Sequence, residues 1–209
     1  NGGADGIKAW KTGLVTNMAN MFSGAAAFNQ AIPTSGDKWD TAKVTDMAGM
    51  FYGAATFNKA IANWNTAAVT TMQQMFKDAP AFDQNLATSG NTWKTTAVTN
   101  MAGMFDGASA FNQNIGAWDT AAVTTMANTF KGAAAFNQAI PTNGDKWNTA
   151  AVTKMSGMFN GASAFNKEIS SWDVSKVTTM ANMFLNAAAF NNGGADGIKA
   201  WKTGLVTNM

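Results

Sequence analysis

The chain has 209 residues, and its 14 basic residues are all lysine, set against 12 acids for a net charge of +2. Charged residues make up only 12% of it, so no basic stripe is available to neutralise a phosphate backbone, which argues against nucleic acid as a partner. There is no cysteine and no histidine, which excludes disulfides, thiolate nucleophiles, imidazole bases and the usual zinc sites.

The opening segment, N-G-G-A-D-G-I-K-A-W-K-T-G-L-V-T-N-M from Asn1 to Met18, recurs unchanged from Asn192 to Met209. Between the two copies tryptophan falls at Trp10, Trp39, Trp64, Trp93, Trp118, Trp147, Trp172 and Trp201, with spacings that run 29, 25, 29, 25, 29, 25, 29. Each is followed at the fifth position by a valine, from Val15 to Val206. All 14 Met, 14 Phe and 8 Trp fall on repeat positions, so the core is written by a template. A fixed period in this range marks a solenoid, in which each unit buries its apolar face only against its neighbours. The expectation is one elongated, uncapped segment over residues 1–209, with seven units inside a larger 191-residue period.

Within the unit from Trp39 to Trp64, Val44, Met47, Met50 and Phe51 lie at helical spacing behind Asp40 and Thr41, both good N-cap residues. This predicts a short helix of about two turns. Gly53 follows, and its equivalents are Gly24, Asp78, Gly107, Gly132, Gly161 and Asn186, types that tolerate the left-handed backbone of a helix end. Phe57 and Ile61, four apart, then suggest a brief strand, and stacked coils would align such strands into a parallel sheet. The predicted fold is therefore an α/β repeat solenoid of seven coils whose lengths alternate between 29 and 25, with one short parallel strand and one short helix per coil. Strict alternation would turn Lys59 and its equivalents Gln30, Gln84, Gln113, Gln138 and Lys167 inward, so a bulge or early strand end is expected and their facing stays open.

The residue after the second Phe of each unit is Asn29, Asn58, Asp83, Asn112, Asn137, Asn166 or Asn191. These suit a ladder running along the stack, and a row of solvated surface asparagines is the plainer alternative. The additional length of the long units falls before Trp39, Trp93, Trp147 and Trp201, in Gly-, Pro-, Asn- and Asp-containing segments that read as turns on one edge.

The segment S-S-W-D-V-S-K-V-T-T-M-A-N-M-F at residues 170–184, with M-F-x-G-A-x-x-F-N-Q-x-I in several coils, resembles the BspA-type leucine-rich-repeat surface proteins, in particular their mycoplasma-type branch. The resemblance covers essentially the whole chain and implies a leucine-rich-repeat-like, extracellular or cell-surface protein linked to adhesion and host contact. Thr129 in place of the second Met, and Asp78 and Asn186 in place of Gly, depart from the pattern. The family supplies no catalytic residues to carry over.

Candidate chemistry is sparse. Ser35 and Lys38 match a serine–lysine pattern, but the equivalent loop has Asn143 in place of the serine. The turns around Asp37, Asn91, Asp145 and Asp196 each offer one or two oxygen ligands where calcium takes six to eight. Glu168 has no paired acid nearby in sequence. No catalytic, cofactor or metal site is therefore expected. No apolar run approaches the roughly 20 residues of a membrane span.

Two functions follow. The first is a non-enzymatic structural repeat forming the body of an extracellular filament, stalk or surface layer by end-to-end continuation. Its interface would comprise Phe184, Phe190, Ile198, Trp201 and Met209 at one end, and Trp10, Met18 and Phe22 at the other. The second is a cell-surface adhesin module gripping a host or matrix protein.

Overall fold

The computed structural model describes residues 6–34, 38–86, 92–140 and 146–209. The repeats stack as coils. Asn17, Asp46, Thr71, Asn100, Thr125, Lys154, Thr179 and Asn208 form a continuous ladder of parallel bridges, one residue from each repeat.

The strand and helix expected in every coil are not formed. Among the described residues the only regular elements are three 3-10 turns, Ile7–Ala9, Asn192–Gly194 and Gly197–Ala200, and the bridges are isolated rather than part of a sheet. An α/β, leucine-rich-repeat-like architecture is thereby overturned. The segment read as a helix holds a residue of positive φ at its centre, Gly49 at 60°, ahead of the left-handed Gly53 that follows it at 68°. A left-handed residue there stops the i→i−4 ladder before it can propagate.

What replaces the helix is a run of turns whose amides point alternately along and across the stack. The N–H groups of Met47, Gly49, Phe51 and Gly53 donate to the carbonyls of Thr71, Gln73, Met75 and Lys77 in the next coil, at 2.8–3.2 Å. Those of Met50, Tyr52 and Ala54 turn back to the carbonyls of Met47, Gly49 and Phe51, at 3.0–3.3 Å. The Ala48 N–H donates to Asp46 Oδ1 at 2.8 Å. Every amide from Met47 to Ala54 is thus satisfied, with Gly49 and Gly53 each at the third position of a turn, where a type II turn demands φ above zero. Asp40, read as a helix cap, caps a turn instead: its Oδ1 accepts from the Ala42 N–H at 2.9 Å. The segment read as a strand makes no bridge, and Phe57 and Ile61 are buried while Lys59 is half-buried. The bridging falls on Asp46 and its equivalents instead.

Because the backbone bonds hold like residues over like, the core is built of columns. Phe22, Phe51, Phe76, Phe105, Phe130, Phe159 and Phe184 form one, with ring centroids 5.4–5.8 Å apart from coil to coil. A second column runs from Phe28 to Phe190, and the two rings within a coil stack at 3.9–4.3 Å. Offset contacts of this kind add to the area that each ring buries. Val, Met and Trp of the interior coils complete the buried cluster.

One column alternates. The third residue of the M-x-x-M turn is Asn20, Gly49, Gln74, Gly103, Asn128, Gly157 and Asn182 in successive coils, all at positive φ. A Cβ on Gly103 would lie 3.2 Å from Gln74 Cγ, and one on Gly49 or Gly157 would meet Oδ1 of Asn20 or Asn128 inside contact distance. The Asn or Gln side chain of one coil fills the space that a side chain on the next would need. Gly157→Ala should therefore cost about 1–3 kcal/mol, from its left-handed φ and the collision together. Removing the neighbour's side chain in Asn128→Gly/Gly157→Ala should recover about 1 kcal/mol relative to the sum of the single changes. Denaturant unfolding of the three variants measures both.

Candidate functional site

The side chains that hold neighbouring coils together form three polar columns. In the first, Asn29, Asn58, Asp83, Asn112, Asn137 and Asn166 each accept, through Oδ1, the backbone N–H of the next member, ending at Asn191, at 2.8–3.1 Å. Gln84, Gln113 and Gln138 add Nε2 bonds of 2.7–3.0 Å to Oδ1 of Asn58, Asp83 and Asn112, so these long side chains lie along the outside of the stack. The second column is Thr45, Thr70, Thr99, Thr124, Thr153, Thr178 and Thr207. Each donates both its N–H and its hydroxyl to the carbonyl of the preceding threonine, starting at Thr16. The third is buried: the hydroxyls of Thr12, Thr41, Thr66, Thr120 and Thr149 donate to carbonyls of the next coil at 2.7–3.0 Å. Charge adds a contact between coils, in which Lys77 Nζ lies 2.8 Å from Asp106, and 3.5 Å from Asp78. The bond to Asp106 raises the Lys77 pKa above its ordinary value.

The tryptophans are divided by coil length. Trp64, Trp118 and Trp172 close the short units and donate Nε1–H to the carbonyls of Ile32, Leu86 and Ile140 at 3.0–3.2 Å. Trp39, Trp93, Trp147 and Trp201 close the long units, and their buried Nε1–H groups have no partner among the described residues. In a short unit the carbonyl of Ile61, Ile115 or Ile169 accepts the backbone N–H of its own unit's tryptophan, closing a tight turn. That carbonyl is the counterpart of the one an indole in the following long unit would need.

The residues proposed for an end-to-end interface fall into two groups at opposite ends of the stack. Phe184, Phe190, Ile198 and Trp201 are half-buried against the last complete coil, and Met209 is 78% exposed. A cavity of about 590 Å³ opens among Met183, Phe184, Ile198, Trp201 and Met209. At the other end Trp10 is 44% exposed, while Met18 and Phe22 are buried. The two copies of the terminal segment also match in conformation where both are described. Trp10 and Trp201 donate to the carbonyls of Ile7 and Ile198 at 3.2 Å, and Val15 and Val206 to those of Thr12 and Thr203 at 2.8 and 2.9 Å.

Sequence reading missed the alternating Asn/Gln and Gly column and the division of the indoles. The first was visible in the runs M-A-N-M, M-A-G-M, M-Q-Q-M and M-A-G-M. The second depends on where a carbonyl points and leaves no mark in the sequence. Ser35, Asp37, Asn91, Asn143 and Asp145 lie outside the described residues. Glu168 is exposed, and among the described residues no three His, Cys, Asp or Glu side chains are grouped to hold a metal ion. No helix there is long and apolar enough to cross a membrane.

A chain whose like residues are stacked in columns over successive repeats is a tandem-repeat protein. It belongs to the family described as Mycoplasma protein of unknown function, DUF285, whose model matches residues 2–91, 85–192 and 142–209. Comparison with curated proteins finds no match. Comparison with solved structures finds none either.

Two measurements check the columns. Asn112→Ala should leave the Asn137 N–H without its acceptor and the Gln138 amide with only the Asn112 carbonyl, and cost about 1–3 kcal/mol, whereas Asn112→Asp, the residue already at position 83, should cost less. Trp118→Phe forfeits a buried hydrogen bond that Trp93→Phe does not have, so it should be the more destabilising by about 1–2 kcal/mol in chemical denaturation.

Proposed function

We propose that this chain is a non-enzymatic structural repeat, the body of an extracellular or cell-surface filament, stalk or layer built by continuation of the coil stack. The observation that carries the reading is the unbroken bridge ladder from Asn17 to Asn208, joined to an opening segment that recurs at the far end in the same local conformation. Such a stack has no inherent stopping point, because each coil presents to the next the bonding groups that it received from the last. The surface location is supported by the resemblance of the W-D-V-S-x-V-T-x-M-x-x-M-F signature to BspA-type surface proteins.

Electron microscopy and sedimentation of the purified chain test the proposal. Filaments should show an axial spacing of about 34 Å, from seven coils at about 4.8 Å each. A monomer that persists unchanged on concentration and dilution would overturn assembly and favour the alternative, an adhesin module that binds a host or matrix protein.

A further inference from the structure

We infer that the coil stack is an extensible tether: under a pull along its axis it gives way one coil at a time, each coil unravelling whole, and it rewinds when the pull is relaxed. This goes beyond the filament reading, because it rests on bonds inside a single chain and holds whether or not copies of that chain assemble.

Direction, range and the content of a single coil all lead to it. The bonds that join coils run along the stack, since the N–H groups of Met47, Gly49, Phe51 and Gly53 each donate to a carbonyl of the next coil. An axial pull strips such bonds one after another along the chain, where a pull across the stack would load them together. Among the described residues every hydrogen bond between coils joins a coil to its immediate neighbour, as in Asn58 to Asn29, Asp83 to Asn58 and Asn112 to Asp83. Parting one pair of coils therefore leaves the next pair intact.

A coil keeps little for itself. Its internal backbone bonds close single turns, such as Met50 to Met47 and Ala54 to Phe51, and the described residues hold no α-helix. Phe51 is buried between Phe22 and Phe76 of the coils on either side, with ring centroids 5.4 and 5.7 Å away, so its burial is lost with them. A lone turn is unfavourable in water, and a coil stripped from its neighbour accordingly extends to its full length. Return is direct, because the neighbour still presents every bonding group and the loop to be closed is one coil long.

The size of each release is set by the sequence. Leu14, Lys43, Ala68, Ala97, Ala122, Ala151, Lys176 and Leu205 hold the same place in successive units, and they divide the chain between them into coils of 29, 25, 29, 25, 29, 25 and 29 residues. A stretched residue spans about 3.5 Å and a coil advances the stack by about 4.8 Å, so the two kinds of coil release about 97 and about 83 Å.

Single-molecule stretching tests this. Leu14 and Leu205 are exposed, and Leu14→Cys/Leu205→Cys in a chain with no cysteine of its own supplies two attachment points one 191-residue period apart. A slow pull in an optical trap should give five steps of those two lengths, then one longer step as the last two coils, which hold only each other, part together. Relaxation should restore the same steps in the same molecule. Asn112→Ala removes the Oδ1 that accepts the Asn137 N–H, and in that background one step should shift to lower force while the others stay in place. Release of the whole length at once, extension without steps, steps that do not return on relaxation, or a common shift of every step in the variant overturns the inference. Each of these outcomes leaves the filament reading to be decided by sedimentation.

Discussion

The structure depends on how eight consecutive amides are shared. Over Met47 to Ala54 four N–H groups cross to the next coil, three close turns within their own, and one reaches a carboxylate. A helix would have kept these bonds to itself, and a strand would have sent them to both sides in a sheet. The left-handed residues at positions 49 and 53 permit neither and supply a chain that turns tightly while remaining bonded along the stack. Register follows directly. Once Met47 donates to Thr71 and Phe51 to Met75, each residue is held over its counterpart, and the stacked phenylalanines, the asparagine column and the threonine column are consequences of that alignment.

Stability in such a molecule is local and repeated. Each coil is bonded only to the coils before and after it, so cohesion is close to a sum of neighbour terms rather than the property of one central core. The same spacing gives polar columns a role that isolated surface residues lack. Asn58 accepts the Asp83 N–H and the Gln84 amide while its own N–H donates to Asn29, so one residue ties three coils. The indoles of Trp39, Trp93, Trp147 and Trp201, unpartnered among the described residues, show the opposite case, in which the difference between long and short coils leaves buried donors unmatched there.

Much of this was legible in the sequence. Coil boundaries, the alternation of long and short coils and the buried positions follow from the placement of Trp, Val, Met and Phe. The left-handed site at Gly53, Asp78 and Asn186 was readable from the residue types that share it. The local structure was misread because Val44, Met47, Met50 and Phe51 are spaced as on a helix, and two successive turns over the same residues produce the same apolar spacing. The residue that separates the possibilities is the one at position 49, where Gly alternates with Asn and Gln, types that share a tolerance for positive φ and little else. Phe57 and Ile61 likewise imitate a strand, although both are inward because the coil curves around them. That the segments 1–18 and 192–209 are the same follows from the sequence alone. The cavity beside Trp201 and the matching backbone bonds of the two copies required coordinates.

The alternating column also bears on how such a protein can lengthen over time. A duplicated single coil would set Asn upon Asn, or Gly upon Gly, and would place two long or two short turns side by side. A duplicated pair, one short coil with one long, reproduces every contact already present. Lengthening by a coil pair is accordingly the step that leaves the alternation of the column and of the turns unbroken.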